Sequence, residues 1–278
     1  MVDSAVPSAV RLDRILRADV IVCQGSFFVK ESKMVRVFGY LLVATLVGTS
    51  VKTRSIAENR VSYTIVRTNS EIKIDGRIEE AAWKNATDVG DFKFPWWKEG
   101  RKEQTVAKLL WNDEYLYVSF RCEDAHVWAE HTQHDSPVSR DDCVELFTAP
   151  NPSQPVNYFN IEMNLLSACL DRHHPNGPEK PEVPNWNARG VKIATTVNGT
   201  LNDDVDTDRS WTLEAAIPFA NFESVAKHTP PHDGDVWHMN LNRLGGRTNP
   251  QHSQWSPGKS ARPSFHKPEY FGRVIFSK

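Results

Sequence analysis

The segment Arg140-Asp141-Asp142-Cys143-Val144-Glu145-Leu146-Phe147 sets an arginine and two carboxylates at the entrance of an alternating run, then places Cys143, Glu145 and Phe147 on one face. In Asn160-Ile161-Glu162-Met163-Asn164 the same period aligns Asn160, Glu162 and Asn164. If these strands are neighbours, their shared face carries carboxylates and amides, which supply the paired hydrogen bonds that sugar hydroxyls require. Asn240 and Arg243, in the run Val236–Arg243, extend this candidate binding set, as do Trp255 and Phe265. Paired carboxylates also suit hydrolysis of O-glycosyl bonds, with Asp142, Glu145 or Glu162 in the acid and base roles; a separation of about 5–5.5 Å or 6.5–9.5 Å then sets the stereochemical course. Polar binding or bracing is the first reading and hydrolysis the alternative.

Other groupings carry weaker chemistry. His126, His131 and His134 with Asp135 contain a ligand-like His-x-x-His spacing, but the order matches no established zinc pattern and solvated loop histidines are the plainer expectation. Asp204-Val205-Asp206-Thr207-Asp208 mimics the start of a calcium loop, yet Arg209 and Ala215 stand where an EF-hand needs Gly and Glu, so a polar turn is expected. Met163 or Met239 paired with a histidine would suit haem ligation, a minor alternative. The chain has no GxGxxG, Walker loop, GxSxG or HExxH.

All nine tryptophans lie between Trp83 and Trp255. Trp111, Trp211 and Trp237 fall within strand patterns and read as core. Trp96-Trp97, Trp186, Trp255 and Phe265 lie in polar, Pro-flanked segments. There they either pack under long loops or offer flat faces on which a pyranose stacks.

The elements that must position these groups are strands. In Tyr115–Cys122, Leu116, Val118, Phe120 and Cys122 share one face while Tyr117, Ser119 and Arg121 share the other. Thr105–Trp111 meets it across Asn112-Asp113-Glu114 as a hairpin. Further strands are expected at Cys143–Thr148, Tyr158–Asn164, Ala168–Arg172, Val191–Val197, Trp211–Ile217, Val236–Arg243 and Gly272–Phe276, with helix only around Glu79–Lys84 and a turn at Phe219–Phe222. Long Pro- and Asn-rich loops join them. The pattern predicts an all-β protein, a two-sheet antiparallel β-sandwich of immunoglobulin-like or jelly-roll type.

Composition narrows the function. Over 278 residues, 33 Lys+Arg against 35 Asp+Glu leave a net charge of -2, which removes the broad basic footprint of a nucleic-acid binder. Val37–Val47 is the one long apolar run, too short to span a bilayer and preceded by Lys33 and Arg36. It suits a signal peptide over residues 34–50 read from Met34, giving a removable leader (1–57), export to the periplasm or exterior, no stable membrane insertion and one domain over 62–278. Cys122, Cys143 and Cys169 then remain, an odd number, and buried free thiols are expected.

Several pieces together resemble the family 9 carbohydrate-binding modules, in particular their stand-alone exported relatives. They are Ile72-Lys73-Ile74-Asp75-Gly76 with Ala82-Trp83, Leu110–Val118, Asp141–Phe147, Trp211–Phe219 and Phe265–Gly272. Their order and spacing cover about 210 residues. The resemblance implies a β-sandwich that binds glycan chain ends without catalysis and supports carbohydrate catabolism, often beside structural calcium. It also implies a sugar clamped between two aromatic rings. Phe265 matches one clamp position and the other falls near Ser139; Glu145 matches a polar contact, and Asn160, Glu162 and Asn240 fall on contact-bearing strands. A sandwich that binds a protein partner and no sugar is the remaining alternative.

Overall fold

The structure, a computed structural model, describes residues 60–278. The leader, its apolar run and Cys23 lie outside the described residues. Eleven strands follow in chain order: β1 (Ser62–Arg67), β2 (Thr105–Trp111), β3 (Tyr115–Glu123), β4 (Asp142–Ala149), β5 (Tyr158–Asn164), β6 (Cys169–His174), β7 (Lys192–Asn198), β8 (Ser210–Pro218), β9 (Val236–Gly245), β10 (His252–Gln254) and β11 (Gly272–Ser277). The α-helix α1 (Ala81–Asn85) is the only one among the described residues, and Phe219–Phe222 forms a 3-10 turn. No described helix is long and apolar enough to cross a membrane.

The strands pair in the order β6-β5-β4-β9-β11-β1-β2-β3-β8-β7, with β10 added beside β9. The all-β expectation is met, with two refinements: β1 runs parallel to both β11 and β2, and it joins the two layers by hydrogen bonds. A parallel neighbour needs a long crossover, which the connection through α1 over residues 68–104 supplies.

The two halves close over one core. Val144, Ile161 and Leu241 from one half pack in the same cluster as Phe120, Leu213 and Ile217 from the other. Period-two alternation decides this: every second residue of β3, β5 and β8 is apolar and points inward, and so are most such positions of β4 and β9, with Asp142, Thr148 and Arg243 as the polar members. Trp111, Trp211 and Trp237 are fully buried, as their strand positions predict. The core is edged by face-to-edge aromatic pairs such as Trp111 with Phe276 at 5.5 Å. Cys122, Cys143 and Cys169 are free and buried, as expected.

The outer face of β8 is covered by the long connection. Glu214 accepts hydrogen bonds from Trp83 Nε1 (2.8 Å) and from the Gly76 amide (2.9 Å). Gly76 holds φ +82°, and a Cβ there would lie 2.5 Å from the Thr195 carbonyl carbon, so the close approach admits only glycine.

Candidate functional site

On the opposite half, the antiparallel register places Glu145 of β4 directly across from Glu162 of β5 and Asn242 of β9. One pair further along, Phe147 stands between Asn160 and Asn240. Gln254 of β10 pairs with Asn242. These residues alternate with core-facing Leu146, Ile161 and Leu241, so they share the outer face. The expected neighbourhood of Glu145, Glu162, Asn160 and Asn240 is therefore formed.

Side-chain hydrogen bonds tie the group together. Asn160 Nδ2 donates to Glu162 Oε1 (3.0 Å) and Asn242 Nδ2 donates to Glu145 Oε2 (3.2 Å). Asn240 Nδ2 donates to Gln254 Oε1 (3.2 Å) and to the Ser256 carbonyl (3.0 Å), and His174 Nε2 lies 2.8 Å from Asn160 Oδ1. Asn242 Oδ1 and Gln254 Nε2 are buried with no protein partner. An acceptor and a donor thus remain unspent within one strip of the sheet. Leaving such groups unpaired costs about 1–3 kcal/mol each.

The carboxyls are not simple anions. Burial, then the neighbouring Glu162, pushes Glu145 well above the usual carboxylate range. Burial raises Glu162 to about 7, partly offset by the Asn160 hydrogen bond and the Arg172 charge. The two carboxyls thus face one another in a setting that opposes their being charged together.

Apolar clusters flank this polar strip. On one side Phe265 and Phe271 pack on Phe147, Ala149 and Tyr158; on the other, Val138 packs on Cys143 and Ala168. Phe265 reaches the site but is buried, its ring 5.8 Å from that of Trp96 and 5.8 Å from His252. Rings in such direct contact leave no space between them for a sugar, so Phe265 is a wall and not half of an open clamp. Ser139 lies in the 3-10 turn Val138–Arg140 and brings no ring. Trp96 is half-buried beside Phe265, with its Nε1 donating to the Ser260 carbonyl (2.9 Å); Trp97 is 42% exposed beneath Lys102. Trp186 packs instead on Phe159.

Two second-choice residues are elsewhere. Arg243 has the parity of Met239 and Leu241, points inward and is fully buried, where it binds Asp124 Oδ2 (2.8 Å) and the Glu123 carbonyl (2.6 Å), with Glu103 Oε2 at 3.6 Å. Trp255 belongs to the main core and donates from Nε1 to the Val89 carbonyl (2.7 Å). Neither can meet a ligand on the outer face. Asn242, Gln254 and His174 are further residues that the structure brings to this group, with Trp96 at its margin. Asn242 was readable from the Asn240-Leu241-Asn242 alternation, whereas Gln254 sits on a three-residue strand inside a loop, which leaves no sequence signal.

Several of the other groupings are dispersed. Asp142 faces inward beside Asp124 and Arg243, away from Glu145, and burial raises its pKa. Met163 and Met239 are fully buried in the packed core. His131 turns to Asp141 Oδ1 (3.0 Å) and His134 to Asp171 Oδ2 (3.1 Å), so the two histidines diverge. The run Asp204–Asp208 does not converge on an ion: Asp208 is spent on the Val127 amide (2.7 Å) and the Thr200 amide (2.6 Å), and Val205 is 95% exposed.

A curled all-β sheet with a buried polar strip on one outer face and aromatic rings at its margin defines a class of small-molecule-binding β module. Its sequence matches carbohydrate-binding family 9 over residues 93–276, and the chain belongs to that family. Among solved structures, it is similar to a protein from Bacteroides uniformis ATCC 8492 described as a candidate carbohydrate-binding protein (TM-score 0.64, 19% identity, 79% of this chain and 100% of that one). It is also similar to a family 9 carbohydrate-binding module from Caldicellulosiruptor kristjanssonii solved with cellotriose (TM-score 0.55, 14% identity, 78% and 93% coverage). The same module with glucose gives a TM-score of 0.52 at 15% identity, covering 77% and 96%. No curated protein matches the chain.

Proposed function

We propose that this protein is a non-catalytic carbohydrate-binding module that takes a sugar on the outer face of β5, β4, β9 and β10. The observation that carries the reading is the unspent pair Asn242 Oδ1 and Gln254 Nε2 beside Glu145. Sugar hydroxyls donate and accept at once, which matches a strip offering both functions. Glu162 and Asn160 complete the polar set, and Trp96 with His252 offers ring surface at the margin.

The matched family description is a binding one. Export of the mature domain 62–278 after removal of the leader is part of the proposal, supported by the basic-apolar-small order of residues 33–50.

The test is calorimetric titration of the full chain with cello-oligosaccharides, glucose and a panel of plant and algal glycans. Saturable binding that weakens about tenfold or more in Glu162→Ala and Trp96→Ala is expected. Absence of binding across the panel, or binding indifferent to both variants, overturns the assignment of this face. Release of reducing sugar by the purified chain would overturn the non-catalytic reading.

A further inference from the structure

We infer that His134, Cys169 and Asp171 form a binding site for a zinc-class divalent transition metal, on the edge of the fold away from the proposed sugar face. His134 Nε2 lies 3.1 Å from Asp171 Oδ2, Cys169 Sγ lies 3.6 Å from the same oxygen, and all three donor atoms fall within 4.8 Å of one another. Bonds of about 2.0–2.3 Å to a tetrahedral ion put its corners roughly 3.3–3.8 Å apart, so three corners are close to being in place. One nitrogen, one sulfur and one oxygen make a donor set suited to zinc and its neighbours and unsuited to calcium or magnesium, which take oxygen almost throughout.

The donors are held by a surrounding frame. The Ala188 amide donates to Asp171 Oδ1 (3.1 Å), leaving Oδ2 directed at the other two ligands. Asp135 Oδ2 lies 3.4 Å from Nδ1 on the far side of the His134 ring, the arrangement that orients metal-bound histidines, and Arg172 engages the same carboxylate. The Asp135 amide donates to the Cys169 carbonyl (2.8 Å), tying the histidine loop to β6. Asn164 fastens both sides: its Oδ1 accepts from the Ala168 amide (2.9 Å) and its Nδ2 donates to the His131 carbonyl (2.7 Å).

Access is also present. The three ligands line a cleft of about 760 Å³ together with Thr132, Ser167 and Lys192, which gives an ion an entry path and leaves a fourth position for water. The other histidine cluster, His228 and His232 with Asp235, is poorer. Asp235 Oδ2 there is engaged by His228 Nδ1 (2.8 Å) and accepts from the His232 amide (2.7 Å), and the two rings stack at 3.8 Å.

The test uses the full chain stripped with a chelator, titrated with Zn²⁺ by calorimetry and with Co²⁺ by absorbance. One equivalent of either ion is expected, with a thiolate-to-cobalt charge-transfer band. Cys169→Ser should remove the band, and His134→Ala should weaken Zn²⁺ binding about tenfold or more. His232→Ala should change neither. His134 is 47% exposed, so its variant keeps the test decisive if Cys169→Ser misfolds. Absence of stoichiometric binding, or binding that survives His134→Ala and is lost in His232→Ala, overturns the site.

Discussion

Glu145 and Glu162 stand directly opposite one another on neighbouring antiparallel strands, both turned to the outer face and both all but sealed from water. Their raised pKa values have a sign that can be followed in stability. Glu162 moves from 4.5 to about 7, so its favourable contribution is full below about pH 4.5 and is lost as pH rises through 7. Glu145, Arg172, His174 and Glu182 surround it, and buried His174, His238 and His266, lowered to about 4, act in the opposite sense below pH 6.5. The difference between wild type and Glu162→Gln isolates the carboxyl. The variant should gain on wild type between pH 5 and 8, by on the order of 1–3 kcal/mol. Denaturant unfolding at the two pH values checks it.

Removing Arg243 should destabilise the fold severely without altering sugar recognition. Its guanidinium is the cation facing the buried carboxylates Asp124, Glu103 and Asp142. Arg243→Met should cost about 3–5 kcal/mol, measured by urea unfolding, because unpaired buried charge remains. Glycan affinity at low temperature should be unchanged.

Gly272 tests the closeness of β11 to the core. A Cβ there would lie 2.5 Å from Trp255 Cζ3 and 2.9 Å from Val61 Cγ2. Gly272→Ala should lower stability by about 1–3 kcal/mol through overpacking, seen as a fall in Tm.

Phe265 and Trp96 should separate packing from recognition. Phe265→Ala should cost about 3–5 kcal/mol of stability, since its ring is buried in the apolar cluster around Phe147. Trp96→Ala, at a half-buried ring, should reduce glycan binding with a much smaller change in Tm. Parallel thermal melts and titrations decide this.

Much of this was legible because alternation is a local property. The run Tyr158–Asn164 has the bounds of β5, and its period alone put Asn160 and Glu162 on one face. The same rule places Arg243 inward with Leu241, but its residue type suggested a surface contact, and only the buried Asp124 and Glu103 reconcile the two. The parallel pairing of β1 with β11 was not legible, because it joins residues more than two hundred positions apart. Nor was the contact of Phe265 with Trp96, set by how two loops fold over the sheet.

The placement of β1 also governs when the protein can finish folding. Ser62–Val66 pairs with Arg273–Ser277, so the first of the described strands needs the last of them. Until the C-terminal residues arrive, β1 lacks one of its two neighbours and the halves that share the core are not joined. Topology of this kind makes closure a late, non-local event. Loss of the residues of β11 would therefore strike at the seam between the two halves.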